Sequence, residues 1–158
     1  GPVPFEKEDE AFAEEIRKTL TTEDIAASFQ RAGRQTPPEL PLCDFVAPLD
    51  RPSHGGEGST DVGDVSWVTP TVQARVATCA VGTPFHTWQT VAQGKAPAAH
   101  KGMVHAAKVM AATATHLINS PETLKAARDV HDKRQQTTPY VCPIPPNVKT
   151  PVIDEPIS

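Results

Sequence analysis

Proline placement limits this chain more than any other feature. Eleven of its 17 prolines crowd into two stretches, 37–52 and 139–156. A proline ring fixes φ and removes a backbone donor, so both stretches are expected to run as long extended loops. The second forms a proline-rich tail over 137–158. Regular structure is left to the segments between.

Four of those segments read as helices. In EKEDEAFAEEIRKTL, residues 6–20, Phe12, Ile16 and Leu20 make one apolar stripe, with acidic residues early and Arg17-Lys18 late, as the helix dipole favours. Thr22 is placed to cap a second short helix carrying Ile25 and Phe29 and stopping near Gly33. Residues 100–119 give the clearest helix, with Met103, Ala107, Met110, Ala114 and Leu117 at 4-3-4-3 spacing. Its alanines predict close packing on a sheet. The last helix opens at Ser120-Pro121 and runs to about Gln136, with Pro121 at the first helical position.

Residues 34–60 read as loop. From 61 to 81 the composition turns to β-formers, and Val72, Ala74 and Val76 alternate with Thr71, Gln73 and Arg75. Pro70 sets this strand at an edge or splits it in two. One or two strands are too few for a stable sheet, so a sheet partner is missing from the inventory. The length suits one domain, without internal repeat or boundary.

Composition removes several classes. Net charge is −4 and no basic run stands out, which argues against nucleic acid as a partner. No apolar stretch reaches the roughly 18–20 residues of a membrane span. Cys43, Cys79 and Cys142 lack any C-x-x-C spacing, so small apolar roles in a reducing cytoplasm are the simplest reading.

Six histidines raise the question of a metal site. His105 and His116 share a helix face but stand roughly 16 Å apart at 1.5 Å per residue. There is no H-E-x-x-H and no Cys/His cluster. His105, His116 and His131 read as helix-surface residues, and His54 is uninformative. His86, in GTPFHTW, differs: it follows an expected strand end, Gly82 and Pro84 restrict its turn, and Phe85 and Trp88 flank it. It is either a ligand or a locally bonded turn residue. Asp61 and Asp64 either cap a turn or orient a ligand or water from behind.

Five blocks carry a resemblance: FEKEDEAFAEEI, GSTDVGDVSWVTPTVQA, GTPFHTWQ, AHKGMVHAAKVMAATA and YVCPIPPNV. Together they resemble the C-terminal part of the aminoacylase/carboxypeptidase-like metallo-amidohydrolases. The resemblance implies an α/β fold: the C-terminal part of a three-layer mixed-sheet, zinc-peptidase-like catalytic domain. It implies two divalent ions, zinc or manganese, in the complete enzyme, with His86 as the one metal ligand from this chain. Asp61 and Asp64 become carboxylates behind the ligands. The implied reaction is cleavage of the amide bond of p-aminobenzoyl-glutamate or a related N-acyl amino acid. No stretch matches the family's earlier ligands, its general base or its lid. The chain is therefore expected to carry no catalytic residue of its own, to be inactive alone, and to depend on the missing catalytic segment, an A subunit or a second copy of itself. The competing expectation is a non-catalytic interaction module that associates through an unpaired sheet edge.

Overall fold

The computed structural model describes residues 1–34, 39–49 and 60–149. Six helices are found there: α1 (Lys7–Arg17), α2 (Thr22–Arg31), α3 (Val62–Val68), α4 (Trp88–Gln93), α5 (Pro97–Asn119) and α6 (Pro121–Thr137). They fall into two compact units, one of residues 1–57 and 73–119, the other of 58–72 and 120–158.

The expected α/β fold is not found. The described residues contain no strand and no sheet. Residues 62–68, read as β-rich, are helix, and residues 70–78 carry neither helix nor strand. Alternating side chains give a segment two faces, but a strand exists only when a neighbour completes its hydrogen-bond ladder. None of the described segments does so here, and Val72, expected on a half-buried face, is 80% exposed. The unpaired sheet edge of the interaction-module reading falls with the sheet. The glycine-rich loop at 55–58, His54 and the end of the tail lie outside the described residues.

In the larger unit, α1 opens with a capping box: the Glu6 side chain accepts from the Asp9 backbone, and the Glu6 N–H donates 2.8 Å to Asp9 Oδ2. Asp9 is buried and its carboxylate also accepts Lys101 Nζ of α5 at 2.6 Å, so one carboxylate ties two helices together. Burial works to raise the pKa of Asp9. The Lys101 and Glu6 bonds outweigh it and hold the carboxyl below its ordinary range. Helix α2 is capped by Thr21 rather than Thr22, its hydroxyl accepting the Asp24 N–H at 3.1 Å.

The core lies between these helices. Ala13 and Ile16 of α1 meet Leu42, Ala80 and Ala98, with Phe5 packed against them. The segment before Ala80 runs hard against α5: a Cβ on Gly102 would stand 2.1 Å from the Ala77 carbonyl oxygen. Only glycine allows that crossing as it stands. Beyond it α5 leaves the core, and Met103 and Met110, expected against a sheet, are exposed.

The smaller unit pairs α3 with α6. The Trp67 carbonyl, an orphan acceptor at the end of α3, receives His131 Nε2 at 3.2 Å and the Gln135 side-chain amide. The Arg134 guanidinium carbon sits 3.7 Å from the Trp67 ring centre, and Tyr140 stacks near the same ring with centroids 6.4 Å apart. His131 is buried, contrary to the surface position its spacing suggested. Burial is possible because the ring nitrogen has a fixed carbonyl to bond.

Candidate functional site

The turn 80–87 and the short helix α4 that follows it form the most tightly specified local structure of the larger unit. Gly82 takes φ 97°, and a Cβ there would stand 2.7 Å from Ile25 Cγ1 and 3.0 Å from Ile25 Cα. Glycine is needed twice over, for the left-handed backbone and for the close approach. Four residues on, His86 takes φ 64°, the one non-glycine residue with positive φ among those described. A left-handed conformation costs a histidine about 1 kcal/mol.

Hydrogen bonds on both sides hold that residue in place. Downstream, the Pro84 carbonyl accepts the hydroxyls of Thr87 at 2.8 Å and Thr90 at 2.7 Å, and Thr87 caps α4. Upstream, Gln93 at the end of α4 is only 3% exposed. Its Oε1 accepts the Ala80 N–H at 2.7 Å, and its Nε2 donates to Thr83 Oγ1 at 3.1 Å and to the Gln89 carbonyl at 3.0 Å. The Thr83 hydroxyl in turn donates to the Ala80 carbonyl at 2.7 Å. Every polar group of the amide is used.

Sequence reasoning picked out His86 but not Gln93, Thr87 or Thr90. The available signals were faint: a threonine three residues before another, and a glutamine closing a short helix. Phe85 and Trp88, which flank the histidine in sequence, do not brace it. They are 73% and 60% exposed, and no ring contact of His86 is found among the described residues. The imidazole is exposed and has no hydrogen bond or ion pair there. What is fixed at this position is the backbone.

The same turn borders a cleft of about 430 Å³ lined by Phe29, Phe45, Val76, Thr83, Phe85 and Val109 among others, a size within the range of small-molecule sites. Cys43 and Cys79 also face it. Burial pushes the Cys79 thiol above its usual pKa against opposing bonds from Thr83 and Thr78, so it is a poor nucleophile at neutral pH.

Asp61 and Asp64 belong to the smaller unit. Asp61 is the N-cap residue of α3 but makes no side-chain cap bond. Asp64 accepts the Tyr140 hydroxyl at 2.8 Å. That bond, with lesser contributions from partial burial and Cys142, pushes the phenol up to about 12. Among the described residues no group of three or more His, Cys, Asp or Glu is placed to hold a metal ion. His86 by itself does not amount to a metal centre, since such centres draw on about three protein ligands.

The chain that carries this turn is similar to a hydrolase subunit. That relative is the B subunit of p-aminobenzoyl-glutamate hydrolase from Escherichia coli (strain K12), 42% identical over an alignment 158 positions long. The alignment takes in 94% of this chain, which spans 33% of the relative's length. The likeness to an enzyme acting on p-aminobenzoyl-glutamate that the five sequence blocks carried is thereby borne out. No protein-family model and no solved structure matches the chain.

Proposed function

We propose that this chain does the work of the corresponding third of a p-aminobenzoyl-glutamate hydrolase subunit. The observation that carries the reading is 42% identity running along 94% of the chain. In this reading His86 is the group the chain contributes to the reaction centre, as one ligand of a divalent ion, zinc or manganese. The other ligands and the general base come from outside the chain. Asp61 and Asp64 stay within the proposal as orienting carboxylates, although Asp64 is already engaged by Tyr140. The substrate class is an N-acyl amino acid with p-aminobenzoyl-glutamate as its first member, the setting is the cytoplasm, and a second subunit completes the enzyme. By itself the chain is inactive.

The test is a chimera. The matching third of the Escherichia coli protein is replaced by this chain, the partner subunit is supplied, and release of p-aminobenzoate is measured. Hydrolysis in the chimera, lost in its His86→Ala form, is the expected result. A folded chimera with no activity would overturn the assignment, and full activity in His86→Ala would remove His86 from the centre.

A further inference from the structure

The larger unit commits a buried glutamine to holding a turn. A buried primary amide is costly unless each of its groups is bonded, and a Leu or Met of similar size would fill the same space without that requirement. Gln93 instead reaches back across ten and thirteen residues to Thr83 and Ala80. Those two residues flank Gly82, and the chain that leaves them arrives at His86 in a left-handed conformation.

The opposite end of the same stretch is tied by Thr87 and Thr90 to the Pro84 carbonyl. Both ties lead into α4. His86 has none of its own among the described residues, so its conformation is imposed by its neighbours.

We infer that Gln93 is a positioning residue for His86. It touches neither ligand nor substrate. It fixes the upstream half of the 80–87 turn to α4, so that the strained φ of His86 persists and the Cα–Cβ bond of His86 keeps one direction. The inference rests on the proposed role of His86 and adds the residue that makes that role possible. A ligand whose backbone is fixed in advance saves the entropy of ordering that backbone at each binding event.

The experiment uses the whole 158-residue chain, labelled for nuclear magnetic resonance, as wild type and as Gln93→Leu. The one-bond Cα–Hα coupling of His86, which separates positive from negative φ, is the readout, with thermal unfolding recorded in parallel. Gln93→Leu is expected to unfold at a lower temperature but cooperatively, and to lose the positive-φ signature at His86 while His105, His116 and His131 keep their resonances. A folded Gln93→Leu in which His86 retains positive φ overturns the inference. If Gln93→Leu does not fold, Gln93→Met keeps the length of the side chain and removes both bonds to the turn, to Ala80 and to Thr83, and retention of positive φ there counts equally against it. A His86 released by Gln93→Leu, together with a chimera still active as His86→Ala, would leave the positioning intact and sink the proposed function instead.

Discussion

His86 shows the conflict between stability and use most plainly. A histidine at φ 64° is held against its own preference, and its side chain meets no described partner that offsets the cost. Replacing it with glycine removes the strain but gives the unfolded chain more freedom, and the two effects are of similar size. His86→Gly is therefore expected to unfold within about 1 kcal/mol of wild type, or to be more stable. A loss of several kcal/mol in denaturant melts would mean that the side chain packs or bonds in a way this account does not include. The residue was legible in the sequence because glycine, proline and two aromatics surround it. Its backbone conformation was not, because that depends on Gln93, seven positions on, and on Ile25, far upstream.

Asp9 is the second residue whose neighbours set its behaviour. Its folded pKa is depressed, so its contribution is full above the unfolded value of about 3.9 and is lost as pH falls through the folded value. The stability gap between wild type and Asp9→Asn should thus narrow as pH drops below that window. A gap that stays constant from neutral to acid pH would show that the carboxylate charge plays no part in joining α1 to α5.

At the scale of elements, the four helices with clear apolar periodicity or an early proline were readable: α1, α2, α5 and α6. The two short ones were not. Seven residues of α3 and six of α4 are too few to be stable by propensity. They persist through bonds to distant groups: His131 and Gln135 on the Trp67 carbonyl for the first, Gln93 on Ala80 and Thr83 for the second. No local pattern announces such bonds. The strand reading of 71–76 failed for a related reason, since alternation marks faces but does not supply a neighbour.

The crossing of residues 77–78 over α5 is an element-scale feature with a clear test. Gly102→Ala gains about 1 kcal/mol of helix propensity but drives a methyl group into the Ala77 carbonyl, so a net loss of about 2 kcal/mol is expected. Thermal or denaturant unfolding measures it. An unchanged or raised stability would mean that the crossing is loose.

At the scale of the molecule, the core belongs to one unit: among the described residues the buried hydrophobic ones, from Val3 to Ala98, all fall within 1–57 and 73–119. The smaller unit buries His131 and relies on a stacked Trp67 with its polar and aromatic neighbours. The candidate residues divide accordingly, His86 in one unit and Asp61 and Asp64 in the other. A relative about three times longer matches nearly the whole of this chain. The proposed function joins these facts: in it the chain carries one arm of a reaction centre rather than the centre.

Bound metal per chain tests that claim most directly. After incubation with zinc or manganese and exhaustive dialysis, metal is counted by plasma mass spectrometry in the isolated chain, in the chimera, and in the chimera carrying His86→Ala. The account predicts almost no metal on the isolated chain, metal retained by the chimera, and the loss of one equivalent with His86→Ala. Equal metal in the two chimeras, or stoichiometric metal on the isolated chain that survives His86→Ala, would contradict it.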